Sequence, residues 1–150
     1  RVESAIDARD SSLIIVSIGG VDCMYEGRGS TYKETIPPEQ YEKNLNLLIK
    51  KMKKRCEEIV FVGLTNIDDS QTDLGSWDED IYYTSENVIK YNDIAREVAT
   101  ERGLGFIDVY GLMSKNDLED GLHPNAKGHE KIFKAVKEFL IEHKYLKNGK

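Results

Sequence analysis

The sequence predicts an α/β fold of three layers, a parallel sheet covered by helices on both faces, and three observations lead there. Short unbroken runs rich in branched apolar residues occur at residues 12–18 (SLIIVSI), 59–64 (IVFVGL) and 104–109 (LGFIDV), as expected of strands covered on both sides. Amphipathic segments several helical turns long separate and follow them. Strands that alternate with helices imply βαβ crossovers and hence a parallel sheet.

The first strand, residues 12–18, is stopped by Gly19-Gly20, and a loop holding Gly27, Gly29 and the Pro37-Pro38 pair follows. Residues 39–55 place Tyr41, Leu45, Leu48, Ile49 and Met52 at helical spacing, with lysines on the other side. After the second strand, residues 65–84 are too rich in Asp, Ser and Gly for either element and are expected to form a long loop. Ser85 is a candidate cap for a second helix in which Val88, Ile89, Asn92, Ala95, Val98 and Ala99 share a face. That helix is expected to end at Gly103, in a left-handed conformation. The third strand leads to a closing helix from Asn125, marked by Ile132, Phe133, Val136, Phe139 and Leu140.

With 150 residues, 39% of them hydrophobic, the chain has material for one domain spanning residues 1–150 and not for two. Its 27 acidic and 21 basic residues give a net charge of −6, opposite to the footprint of a nucleic-acid binder, so no nucleic-acid partner is expected. Cys23 and Cys56 are too few for a disulfide framework and fit no zinc spacing. A reducing compartment, the cytoplasm, is the expectation. No apolar run approaches the roughly 18 residues that cross a bilayer, so no transmembrane segment is expected, and RVESAIDARD is not a signal peptide. A chain opening on Arg1 leads us to expect further polypeptide before it.

In an α/β sheet, ligands sit beyond the carboxyl ends of the strands, so the loops at residues 19–38, 65–84 and 110–124 carry the functional interest. The strongest local signal is Asp120-Gly121-Leu122-His123-Pro124-Asn125, followed by Gly128. If that segment turns, Asp120 can bond one ring nitrogen of His123 and stabilise its imidazolium, leaving the other nitrogen to act as a general base. Asn125 would cap the last helix. An isolated D-x-x-H is also an ordinary surface turn before a helix.

The block DGLHPNAKGH before the terminal helix, with IIVSIGGVD closing the first strand and YNDIAREVATERG preceding GFIDVYG, resembles the SGNH hydrolases, or GDSL-type esterases and lipases. The resemblance covers nearly the whole chain. It implies a flavodoxin-like sandwich, a serine ester hydrolase acting on small-molecule esters without a cofactor, and a triad with Asp120 as the orienting acid and His123 as the base. Gly19, Gly20, Val21 and Asp22 match the family's G-x-N-D oxyanion block.

Two departures accompany these matches. No G-D-S block occurs, and the serines after residue 10 do not replace its nucleophile by context: Ser17 is read as lying inside a buried strand, and Ser11, Ser12, Ser30, Ser70, Ser76, Ser85 and Ser114 lack the setting. The nucleophile is therefore expected outside these 150 residues. In addition, Val21 stands where the family has an asparagine, and valine offers no donor to an oxyanion. Losing such a donor costs about 10²–10³ in kcat. The family's first strand would neighbour residues 12–18, so an open hydrophobic edge is expected, to be completed by an N-terminal segment or by self-association. The competing interpretation is a noncatalytic or degenerate SGNH-like binding or assembly module. A third is a flavodoxin-like ligand or signalling domain, which leaves DGLHPN unexplained.

Weaker candidates remain. Asp68, Asp69, Asp73, Asp78, Glu79 and Asp80 fit no EF-hand register and are expected to be solvated, so no metal is assigned. Trp77, Tyr82 and Tyr83 could line an acyl or sugar subsite or pack the loop on the body, and Tyr25, Glu26 and Arg28 could contact substrate or form a polar loop. His129 is expected to be packed in the core and His143 to be solvent-exposed. Gly27-x-Gly29 is read as a turn and not as a dinucleotide loop.

Overall fold

A computed structural model describes residues 11–27, 31–73 and 80–146. Three parallel strands, β1 (Ile14–Val16), β4 (Ile59–Val62) and β6 (Gly105–Ile107), form the main sheet in the order β1-β4-β6. Ile14 pairs with Ile59 and Val60 with Gly105. Central β4 is buried at every position, as its unbroken apolar run predicts. The crossovers from β1 to β4 and from β4 to β6 carry helices α1 (Pro38–Met52) and α3 (Ser85–Glu101).

Both helices pack one face of the sheet. Tyr41, Leu45 and Ile49 of α1 and Val88, Tyr91 and Ala95 of α3 form one cluster with Val16 and Phe61. The closing helix α4 (Ala126–Glu142) covers the other face, its Ala135, Val136 and Phe139 lying on Val60, Val62, Ile107 and Val109. The expected three layers are present. Local sequence explains the helix ends: Pro38 opens α1 where a missing N–H costs nothing, and Gly103, at φ 64°, closes α3. There Leu104 N–H donates to Ala99 O and Gly103 N–H to Thr100 O, a Schellman closure.

Several expectations need correction. The first strand is shorter than residues 12–18 and is not covered on both faces: Ile15 is 44% exposed. Among the described residues it pairs only with β4. Ser85 is not the cap of α3; the Thr84 side chain accepts the Asn87 N–H, and Ser85 starts the helix. Ile89 lies outside the buried face, which Tyr91 completes, and Phe133 points to solvent. Residues 65–84 are not all loop, because they include the short helix α2 (Asp69–Thr72) and strand β5 (Ile81–Tyr82). With β2 (Tyr25–Glu26) and β3 (Lys33–Glu34), β5 makes a small antiparallel sheet in the order β3-β2-β5. Tyr82 stacks on Tyr25 there, and Tyr32 meets its edge. Among the described residues no helix is long and apolar enough to cross a membrane.

Candidate active site

The loop that carries the D-x-x-H pair leaves β6 and returns at α4. Its far end is set by Asn125, whose side chain accepts the Lys127 and Gly128 N–H groups and so caps α4 as expected. Asn125 N–H in turn donates to Asp117 O. Between these points Gly121 adopts φ 83°, a conformation that favours glycine, and the chain turns sharply.

That turn brings Asp120 and His123 together. Asp120 Oδ1 accepts the backbone N–H groups of Leu122 at 3.0 Å and His123 at 2.8 Å. Oδ2 stands 2.7 Å from His123 Nδ1. Burial alone would raise the Asp120 carboxyl, but the N–H and imidazole of His123, the Leu122 N–H and the charge on His123 outweigh it and hold the group below the ordinary carboxylate value. An imidazole held at Nδ1 by a carboxylate has its orientation fixed, and Nε2 becomes the position through which it can exchange a proton with a ligand.

His123 borders a cavity of about 370 Å³ at the carboxyl ends of the strands. Ile18, Val62, Leu64, Val109, Leu122 and Ile132 give it an apolar wall, with Thr65 and Tyr83 as polar members. Gly20 and Val21 of the G-G-V-D block also line it, and Val21 is 65% exposed. The block is fixed from behind. Gly19 has φ 116° and lies against Tyr41, Cys23 N–H donates to Gly19 O, and the buried Asn87 amide donates to Cys23 O at 2.6 Å. Asp22 does not line the cavity, and burial raises its carboxyl, partly offset by its own N–H.

Three expectations about this region are overturned. Ser17 is not inside a buried strand: it lies past the end of β1, exposed, on the cavity wall. His129 is not packed in the core but exposed, bordering the cavity. Asp68 is not solvated; it is 6% exposed and held by Lys115, Ser70 and Gln71. Asp69 is exposed, as expected, and accepts the N–H and hydroxyl of Ser85. Tyr83 borders the cavity, whereas Tyr25, Glu26 and Tyr82 belong to the small sheet and do not line it. Trp77, Asp78, Glu79, Arg28 and Gly29 lie outside the described residues, and His143 is exposed as expected.

Sequence reasoning missed Asn66. Its carbonyl accepts the N–H groups of Gly111 and Met113, both at 3.1 Å, and its amide donates to Met113 O, so it templates the start of the loop that carries the pair. The one available signal was a polar side chain just past the carboxyl end of a strand.

The model of the GDSL-like lipase/acylhydrolase family matches residues 1–131. The chain belongs to that family. Solved structures share its fold: a lipase/acylhydrolase from Enterococcus faecalis superposes with a TM-score of 0.71 at 18% identity, over 93% of this chain and 65% of that one. A catalytic mutant of an acetylxylan esterase from Geobacillus stearothermophilus gives 0.67 at 18% identity, over 93% of this chain and 63% of its own. A protein from Bacteroides fragilis described as a putative acylhydrolase gives 0.75 at 12% identity, over 95% and 67%. The chain therefore spans about two thirds of the length of these structures. No curated protein matches it in sequence.

Proposed function

We propose that this chain is the larger part of a serine ester hydrolase of the SGNH type, with the nucleophilic serine supplied by polypeptide outside these 150 residues. His123 Nε2 takes the serine hydroxyl proton as the serine oxygen bonds to the ester carbonyl carbon. It returns that proton to the alkoxide when the carbon–alkoxide bond breaks, and water repeats the sequence on the acyl-enzyme. Asp120 orients His123 and stabilises its charged form. The supporting observation is the 2.7 Å contact between His123 Nδ1 and Asp120 Oδ2 beside an apolar cavity. Small-molecule esters are the substrates it suits.

A second interpretation is a noncatalytic or degenerate module kept for binding or assembly. Val21, exposed on the cavity wall without a donor, favours it. The two separate on treatment with a fluorophosphonate probe, the modified residue being identified by mass spectrometry. Labelling of a serine in a longer, natural polypeptide, abolished by His123→Ala, supports the hydrolase. No labelling and no p-nitrophenyl acetate turnover in that polypeptide supports the module. Labelling of Ser17 in the 150-residue chain refutes the outside nucleophile.

A further inference from the structure

We propose that Asp68 is a positioning residue for the Asp120–His123 pair, acting through Lys115 and Gly121. The proposal rests on the reading that these two residues are the acid and base of the site. The segment that carries Asp68 is a bracket between the body of the protein and the loop that holds the pair. On the body side, Asp69 accepts both the N–H and the hydroxyl of Ser85 at the start of α3. Thr72, fully buried, accepts the Tyr83 N–H through its carbonyl at 2.9 Å. The bracket is thus fixed to the third helix before it meets the loop.

On the loop side, Asp68 reaches both flanks of the turn. Its backbone N–H donates to Gly121 O at 2.8 Å, one residue beyond Asp120. Its carboxylate accepts the Lys115 ammonium at 2.7 Å, five positions before Asp120 in the chain. The approach leaves no space: a Cβ on Gly121 would lie 2.6 Å from Gln71 Cβ and 3.2 Å from Thr72 Cγ2. Glycine at this position therefore serves a contact as well as a φ angle. A carboxylate buried in this way is costly without its partners, and the Ser70 hydroxyl, the Gln71 amide and Lys115 supply them. The ammonium end of Lys115 is in reach only while the loop stays seated, so pair geometry and Asp68 charge are linked.

Asp68 also caps α2 by accepting the Ser70 N–H, and the test must separate capping from positioning. Asp68→Asn keeps a good capping residue but removes the charge that holds Lys115. Lys115→Met removes the same contact from an exposed side chain and leaves the cap untouched. In the longer, natural polypeptide, two readouts follow the pair: the ¹³C titration of the Asp120 carboxyl, and hydrogen exchange of the Leu122 and His123 amides that donate to it. We expect the parent Asp120 to titrate below the ordinary carboxylate value. Each variant should move it upward and speed exchange of those two amides about tenfold, with amides of β4 unchanged. The double variant should add nothing further. If either single variant leaves both readouts at parent values, the positioning role is overturned while the pair stands. If the parent Asp120 titrates at the ordinary value, the pair itself fails, and this proposal with it.

Discussion

Asn92 Oδ1 accepts the Leu64 N–H at 2.7 Å, so a side chain on the buried face of α3 completes the backbone bonding of the first residues past β4. Gly63, next to Leu64, would place a Cβ 2.6 Å from that same oxygen. The contact matters to the site because Gly63 and Leu64 both line the cavity. Asn92→Leu keeps the branched shape but leaves the Leu64 donor unpaired, which costs about 1–3 kcal/mol. Urea unfolding should show a lower midpoint with unchanged slope. An unchanged midpoint would mean that the Leu64 N–H finds water instead.

Gly19→Ala should be costly for two separable reasons. Its φ of 116° disfavours any side chain, and a Cβ there would lie 2.5 Å from Tyr41 Oη. The strain alone is of order 1–3 kcal/mol. Adding Tyr41→Phe removes the hydroxyl but not the unfavourable φ, so the double variant should recover only part of the loss. Full recovery in thermal melts would show that the backbone conformation costs little.

Acid should loosen the loop that carries the pair. Lys115, with Ser70 and Gln71, holds the Asp68 carboxyl well below the usual range, and Lys131, with Ser114, does the same for Asp117. A carboxyl depressed in the folded state contributes its full stability above the unfolded value, about 3.9 for Asp, and loses it as pH falls from there through the folded value. The melting temperature should therefore decline below about pH 4. Asp117→Asn should flatten that decline while lowering the melting temperature at neutral pH. An equally steep acid decline in the variant would assign the effect to other groups.

The main sheet was legible because β1, β4 and β6 are continuous apolar runs and the helices between them have a clean stripe, as Tyr41, Leu45, Ile49 and Met52 show. The small sheet was not, since strands of two residues such as Tyr25–Glu26 and Ile81–Tyr82 are too short to display alternation. The D-x-x-H turn could be read from spacing alone because both residues are local to it. Asp68 could not: its partner Lys115 lies 47 positions away, and only the fold brings them together. His129 and Phe133 failed because helical periodicity marks a face without saying whether the fold lays anything over each position on it, and both are exposed. Ser17 failed likewise, as strand β1 ends at Val16.

Both cysteines should be unreactive in the folded protein. Cys23 is 1% exposed and its thiol is pushed up to about 12 by burial, with its own N–H opposing and the Asp22 charge adding to the rise. Its Sγ donates to Gly20 O, and Cys56, also buried, donates to Glu58 O. At about pH 8 an exposed thiol is partly thiolate and reacts readily, whereas these two should be labelled by Ellman's reagent only as the chain opens. The labelling rate should rise with urea in step with unfolding. Prompt modification of Cys23 in the native protein would show that the turn formed by the G-G-V-D block opens by itself.

Val21→Asn tests whether the exposed valine limits catalysis. At 65% exposure its side chain contributes little packing, so the substitution should change stability by less than about 0.5 kcal/mol. An asparagine there would instead offer an amide donor on the wall of the cavity that His123 borders. One such donor to a developing oxyanion is worth about 10²–10³ in kcat. In a polypeptide that includes the nucleophile, turnover of p-nitrophenyl acetate should rise towards that range, with KM little changed because the bond strengthens only in the transition state. A gain confined to KM would place residue 21 in substrate binding, and no gain at all would mean that another group already serves the oxyanion.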